Sequence, residues 1–83
     1  MRRDMNEYQN MDVLPMATAQ KVKTMIIQRE MKPGDRLPTE KELADLFGVS
    51  RSTLREAMKF LRAENVVVIR QGSGTFVSAG TGI

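Results

Sequence analysis

Short hydroxyl and guanidinium side chains are concentrated at one point of this chain, just past its middle. Ser50 is a typical helix N-cap, and the residues after it predict a helix from Arg51 to about Glu64. The free N–H groups and the dipole at a helix N-terminus attract anions, and nearby hydroxyl groups can donate to the same anion. Arginine adds a two-pronged donor that fits guanine O6 and N7. Such donors lie together here: Ser50, Arg51, Ser52, Thr53 and Arg55.

Two short helices are predicted to position these groups. Thr39 can cap a helix from about Glu40 to Phe47, and Glu42, three residues on, can complete a capping box. Gly48 then permits a sharp turn into the second helix. The apolar residues of that helix recur at helical spacing and predict a buried stripe: Leu54, Ala57, Met58 and Leu61. Two helices joined by a tight glycine turn are typical of a helix-turn-helix.

Elements on either side complete the domain. A helix is predicted from Met16 to Met31, ended by Pro33-Gly34, with an apolar stripe of Ala19, Val22, Met25, Ile26 and Ile27. Residues 66–69 and 75–78 predict two strands around a glycine-containing turn, which make a β-hairpin. Asn65 can adopt a left-handed conformation at the end of the preceding helix. Four consecutive apolar residues cannot all face a core, so we expect Val68 to be partly exposed.

The chain divides into three parts on this interpretation. Residues 1–15 are polar and without period, and we expect a flexible N-terminal arm. Arg2 and Arg3 could alternatively enter a minor groove, although a frayed terminus is favoured. Residues 16–78 form the domain. Residues 79–83 resemble the start of a linker to a C-terminal effector and dimerisation domain that is absent from this chain.

Composition excludes several function classes. The 83 residues allow one small domain, and neither cysteine nor histidine is present. Disulfides, thiolate zinc sites and cysteine or histidine catalysis are therefore excluded, and we expect no enzyme activity, no metal and no cofactor. No apolar run approaches the length of a transmembrane helix, so we expect no membrane partner. The absence of cysteine fits a cytoplasmic location.

Positive charge is confined to one half of the chain. Residues 1–50 hold eight basic and eight acidic side chains, whereas residues 51–83 hold five basic and two acidic ones. The net charge of +3 therefore lies on the second helix of the helix-turn-helix and the hairpin after it. Charge gathered in this way suits a polyanion, although a solvated helix face would explain the charge alone.

Three linked motifs, PGDRLPTE, FGVSRSTLREA and RQGSGTFV, resemble those of a known family. The run KPGDRLPTEKELADLFGVSRSTLREAMKFLRAENVV, followed by RQGSGTFV, covers Lys32 to Val77, and the likeness extends loosely to Met16. It resembles the N-terminal DNA-binding domain of the GntR family of bacterial transcription regulators. The resemblance implies a winged helix-turn-helix, mostly α with a small β-hairpin wing. It would have three helices, a two-stranded wing and a short first strand at residues 35–38 that pairs with the wing.

The same resemblance implies a DNA-binding site. Arg51 and Arg55 match the recognition-helix arginines, and the hydroxyl positions are Ser50, Ser52 and Thr53. Lys41 stands where the family often has arginine, so we expect it to contact phosphate only. Gly72 matches the glycine of the wing tip, and Gln71 beside it completes the set of candidate DNA-binding residues.

The function implied is sequence-specific binding of double-stranded operator DNA. Helix 51–64 would lie in the major groove and wing 66–78 near the minor groove of a palindrome. The protein would be a cytoplasmic repressor that forms a homodimer and responds to a small-molecule effector, both through its C-terminal domain. The alternative is a winged helix that serves as a protein–protein interaction module, because fold alone does not fix function. Apolar or aromatic residues at the start of the second helix would favour that alternative, and hydroxyl and cationic residues stand there instead.

Overall fold

The computed structural model describes the backbone of residues 2–80 and the side chains of residues 13–80. No helix in residues 2–80 is long and apolar enough to cross a membrane. Three helices precede a two-stranded antiparallel sheet, which confirms a mostly α fold with a hairpin wing. The elements are α1 (Arg2–Gln28), α2 (Glu40–Phe47), α3 (Arg51–Ala63), β1 (Val67–Arg70) and β2 (Gly74–Val77).

Capping residues set the boundaries of α2 and of the start of α3 where the sequence predicts them. The Thr39 hydroxyl accepts from the Glu42 N–H at 3.1 Å, and the Glu42 carboxylate accepts from the Thr39 N–H at 2.9 Å. The Thr39 backbone and hydroxyl bonds hold the pKa of the Glu42 carboxyl below its usual value. Gly48 ends α2 at φ 68°, a left-handed conformation in which a Cβ would be strained. The tight turn between α2 and α3 is therefore confirmed.

The start of α1 differs from the prediction. The helix begins at Arg2, not near Met16, and it continues through Pro15. The backbone of residues 2–15 is therefore part of α1, although the sequence there shows no helical period. Backbone hydrogen bonds can propagate without an apolar stripe, and Met, Glu, Gln and Arg all favour helix. The side chains of Arg2 and Arg3, and residues 81–83 of the expected linker, lie outside the described part of the structure.

Both α1 and α3 end in the same hydrogen-bonded motif. After α1, Glu30 has φ 53°, and the Met31 N–H donates to the Ile26 carbonyl at 2.9 Å. After α3, Asn65 has φ 61°, and the Val66 N–H donates to the Leu61 carbonyl at 2.9 Å. These are Schellman closures, in which a left-handed residue lets the chain satisfy the last helical carbonyls. The left-handed Asn65 is confirmed, whereas α1 ends at Gln28, three residues before the predicted end at Met31.

One core joins the three helices and the hairpin. The predicted stripe of α3 is buried in full, and Met25 and Met58 fill the same core. Ile27 is an error of the prediction, because 58% of its surface is exposed. It follows the buried Ile26 directly, and one helical step turns it about 100° away from the core. The largest fully buried side chains include Val22, Ile26, Leu43, Leu54 and Leu61.

The hairpin is a wing whose strands start or end one residue from the prediction. Val67 opposes Val77, and both are buried against the helices, while Val68 opposite Phe76 is half-buried as expected. Val66 is not in β1, since its N–H closes α3. Arg36 forms a β-bridge with Phe76, and the Leu37 N–H donates to the Thr75 carbonyl at 2.8 Å. The predicted pairing of residues 35–38 with the wing is confirmed, although the segment forms an isolated bridge at Arg36 and not a strand.

Candidate nucleic-acid interface

Three hydroxyl groups meet at the N-terminus of α3. Ser50 accepts from the Thr53 N–H at 3.0 Å, which makes it the N-cap, and its hydroxyl can donate to Thr53 Oγ1 at 3.0 Å. Its oxygen also lies 3.3 Å from that of Ser52. Ser50 and Ser52 are exposed and Thr53 is half-buried. Because Ser50 caps the helix, its first role is to fix the turn that presents Ser52 and Thr53.

Arg51 and Arg55 are exposed side chains of α3 that lie outside its buried stripe. Arg51 has no salt bridge with any residue in the range 13–80. Arg55 approaches Glu40 at the start of α2, with 4.0 Å between Nε and the carboxylate oxygen. This loose pair involves Nε, so it leaves the terminal nitrogens of the guanidinium to point elsewhere. Those nitrogens can take part in two-pronged recognition of a guanine.

Lys41 is exposed on the first turn of α2. Its Nζ lies 3.3 Å from the Asp45 carboxylate, one helical turn further on. More than two thirds of each side chain is exposed to solvent, so this pair stabilises the helix by at most a few tenths of a kcal/mol. Lys41 can therefore exchange Asp45 for a phosphate oxygen at little cost.

The wing tip carries the remaining sequence-predicted residues. Gln71 and Gly72 lie in the turn between β1 and β2, and both are exposed. Gly72 has φ 80°, and no atom lies within 4 Å of the place where a Cβ would be. The backbone at the tip is therefore bare and can approach a surface closely, as a narrow groove requires.

A shallow groove connects the helix-turn-helix with the wing. It has a volume of about 240 Å³ and is lined by Glu40, Arg55, Met58, Lys59, Arg62 and Ile69. Lys59 also pairs with Glu56 at 3.1 Å, which offsets the one acidic side chain of α3. The groove shows that Arg55 faces the start of α2 and lies on the same side of α3 as the wing strand β1. The structure therefore sets the candidate residues on three adjoining elements of one small domain.

Sequence reasoning missed two features of this surface. One is the approach of Glu40 to Arg55, which joins α2 to α3 and was not anticipated from spacing along either helix. The other is the placement of Arg36 and Arg70 on the wing, described below. Residues 13–80 contain no cluster of carboxylates that could hold a metal ion. The chemistry available at this surface is hydrogen bonding and charge pairing with an anion.

Comparison with protein families and curated proteins agrees with this geometry. The family model "Bacterial regulatory proteins, gntR family" matches residues 16–77. The chain is 44% identical over 64 residues to the HTH-type transcriptional regulator Mce2R of Mycobacterium tuberculosis, and covers 27% of that protein. It is 46% identical over 59 residues to the mannosyl-D-glycerate transport/metabolism system repressor MngR of Escherichia coli, and covers 25% of it. These matches take in 77% and 71% of this chain, respectively. The chain thus spans about a quarter of the length of these relatives.

Solved structures show the same fold. A Streptococcus agalactiae GntR protein aligns with a TM-score of 0.78 and 42% identity, over 83% of this chain and 34% of that one. The AraR DNA-binding domain in complex with operator ORX1 aligns with a TM-score of 0.71 and 35% identity, over 78% of each chain. The fold is therefore a winged helix-turn-helix, and the relatives are named as transcriptional regulators and not as enzymes. Together with the family match over most of its length, this shows that the chain belongs to the gntR family of bacterial regulatory proteins.

Proposed function

We propose that this chain binds operator DNA through the exposed face of α3 and the tip of the wing. The observation that carries the proposal is the first turn of α3. There, Ser50 caps the helix, and Ser52, Thr53 and Arg51 are presented at an N-terminus whose N–H groups favour phosphate. The AraR domain, which shares this fold, is bound to operator DNA in its complexes.

Each candidate residue has a defined role in the proposal. Arg51 and Arg55 donate to base edges in the major groove, while Ser52, Thr53 and Lys41 donate to phosphates. Gln71 and Gly72 bring the wing tip to the minor groove. Ser50 acts mainly as the cap that orients the others.

We infer that regulation requires two copies of this domain on a palindromic operator. One recognition helix and one wing reach only a few base pairs, and a two-fold dimer doubles the contacts. This chain matches about a quarter of each relative's length, and we assign dimerisation and small-molecule sensing to a further domain of the whole protein. Repression fits the name of MngR, and the cytoplasm is where a bacterial operator lies.

The experiment is selection of duplexes from random sequence by the 83-residue chain, followed by anisotropy titrations of the selected duplex at several salt concentrations. With about four to six phosphates contacted per domain, the slope of log K against log salt should be roughly −4 to −5. Sedimentation should show a monomer or weakly associating chain alone and two copies on a selected palindrome. A chain that enriches no sequence and shows no salt-dependent binding would contradict the proposal and favour a protein-interaction module.

A further inference from the structure

The outer face of the wing carries two arginines that the candidate interface does not use. Val67 and Val77 oppose each other and are buried, so they define the inner face. Side chains alternate along a strand, so Val68 and Phe76 point to the outer face, as do Arg70 and the position of Gly74. Arg36 pairs with Phe76 from the other side of β2 and shares that outer face. We call Arg36 and Arg70 the wing-face arginines.

Packing on the hairpin restrains both guanidinium groups. The Arg70 guanidinium lies over the Phe76 ring, 5.3 Å from its centroid, in a cation–π contact. The Arg36 guanidinium occupies the space above Gly74, where a Cβ would lie 2.9 Å from its Nε. Arg36 pairs with Phe76 but its guanidinium lies above Gly74, the residue that pairs with Arg70. The Arg70 guanidinium in turn lies over Phe76. The two cations therefore lie over neighbouring residues of β2.

The wing-face arginines are not in contact with a carboxylate in the part of the chain whose side chains are described. Within residues 13–80, neither wing-face arginine makes a salt bridge. The two nearest acidic residues in sequence to Arg36 are used elsewhere, because Asp35 accepts from the Lys32 N–H and Glu40 approaches Arg55. Glu42 caps α2, although the charge of Arg36 contributes to its lowered pKa. Two restrained guanidinium groups that make no salt bridge within residues 13–80 can pair with an external anion.

The place of the pair in the fold identifies that anion. Arg70 is the last residue of β1, directly before Gln71 and Gly72 of the wing tip. Arg36 lies four residues before Glu40, the first residue of α2. In sequence, one arginine thus adjoins the wing tip and the other precedes α2, which carries Lys41, and the proposed function brings both the tip and Lys41 to DNA. Planar guanidinium groups suit the oxygens of a phosphodiester, and Arg is the usual residue at a narrow minor groove.

We propose that the wing-face arginines bind phosphodiester groups of the strand that borders the minor groove at the wing, outside the bases read by α3. This inference rests on the proposed function and adds a second, sequence-independent contact surface to it. The outer face of the wing would then contribute to DNA affinity in addition to the wing tip.

The test compares the chain with an Arg36→Gln, Arg70→Gln double variant on the selected palindrome across a range of salt. Loss of one to two phosphate contacts should reduce the steepness of the log K against log salt slope by about 1 to 2 per domain. Affinity should fall about equally on a duplex of unrelated sequence, since phosphates carry no sequence information. Lys21→Gln, which removes one exposed charge on α1, is the control and should leave the slope unchanged.

Uncharged methylphosphonate linkages on the minor-groove flank of each half-site provide the second arm. They should weaken binding of the unmodified chain but not weaken the double variant further, because the partner groups are already lost. An Arg36→Lys, Arg70→Lys variant keeps the charge and should retain most of the slope. It also shows whether a loss of binding comes from misfolding.

Two outcomes separate this inference from the proposed function. If the double variant keeps the salt slope of the unmodified chain while Arg51→Ala abolishes specific binding, the arginines only pack the hairpin and the inference fails alone. If the unmodified chain does not bind duplex DNA, the proposed function fails with it. A lower affinity that follows a lower melting temperature, with an unchanged slope, also overturns the inference.

Discussion

The two faces of α3 divide the core and the candidate DNA-binding surface between different residues of one short helix. Its inner face is apolar and completely buried, with Leu54, Ala57 and Leu61 at 0% exposure. Its outer face is polar and cationic. Arg55 and Lys59 make surface ion pairs there, and Arg51 makes none within residues 13–80. The inner face should therefore tolerate little change in volume, while the outer face should tolerate changes at little cost in stability. The difference lets stability and DNA binding be separated by substitutions on a single helix.

The largest effect should come from the inner face. Leu54→Ala leaves a cavity at the centre of the core and should cost about 2–5 kcal/mol of unfolding free energy. In a domain of this size that lowers the melting temperature by on the order of 10 °C or more. Leu46→Ala on α2 is the matched control, because Leu46 is 54% exposed, and its melting temperature should change little. Similar melting temperatures for the two variants would refute the assignment of Leu54 to the core.

Substitutions on the outer face should affect binding and leave folding intact. Arg51→Ala and Arg55→Ala should each cost about 1–3 kcal/mol of binding free energy on the selected operator, because each removes a donor to a base. Their melting temperatures should match that of the unmodified chain. Anisotropy titrations beside thermal melts check both expectations, with Lys21→Ala as a control on α1. Wild-type affinity in both arginine variants would reject the site assignment.

Ser50 caps α3 and stands beside the candidate DNA-binding residues, so it sharpens the comparison. Ser50→Ala removes the cap of α3 and should lower stability by about 1 kcal/mol, while also loosening the turn that presents Ser52 and Thr53. Ser50→Thr keeps the hydroxyl and should restore both properties. Thermal melts and titrations on both variants test this. Loss of binding without loss of stability in Ser50→Ala would show that the hydroxyl contacts DNA itself and is not only a cap.

The smallest effect concerns acid pH and the cap of α2. The folded-state pKa of Glu42 is lowered by its bonds to Thr39, so the charged form is favoured in the folded state. Its contribution to stability is present at neutral pH and is lost as the pH falls below the ordinary carboxyl value of 4.5. Glu42→Gln should therefore be slightly less stable at pH 7 and should approach the unmodified chain near pH 3. A difference in melting temperature that persists at low pH would contradict this origin.

Local signals in the sequence were sufficient for the helix-turn-helix. Thr39, Gly48 and Ser50 act on neighbouring backbone groups, so their effects can be predicted without knowledge of the fold. The start of α1 has no such cap or apolar period, and its prediction was wrong. The prediction that Ile27 is buried was also wrong, because its exposure depends on the rotation of α1 against α3. The apolar runs predicted both strands of the wing, with boundaries one residue off. Val66 is outside β1 because its N–H closes the end of α3.

The candidate site was predictable to the extent that it is local. The donors of the first turn of α3 are adjacent in sequence, and the family motifs identify Lys41, Gln71 and Gly72. The contact of Arg55 with Glu40 crosses from one helix to the next, over 15 residues of chain. Arg36 and Arg70 are brought to one face only by the pairing of β1 with β2 and by the bridge from Arg36 to Phe76. Contacts of this kind depend on how separate elements pack and pair with each other, and residue spacing within one element does not predict that.

Methylation interference on the selected operator tests the central claim most directly. Methylation of guanine N7 blocks the acceptor that Arg51 and Arg55 are proposed to use in the major groove. We expect methylation of particular guanines in each half-site to prevent binding of the unmodified chain. Arg51→Ala and Arg55→Ala should each become insensitive to methylation at one of these guanines while keeping weak binding. Binding that is tight and sequence-specific, yet indifferent to N7 methylation and to both arginine substitutions, would contradict recognition through the outer face of α3.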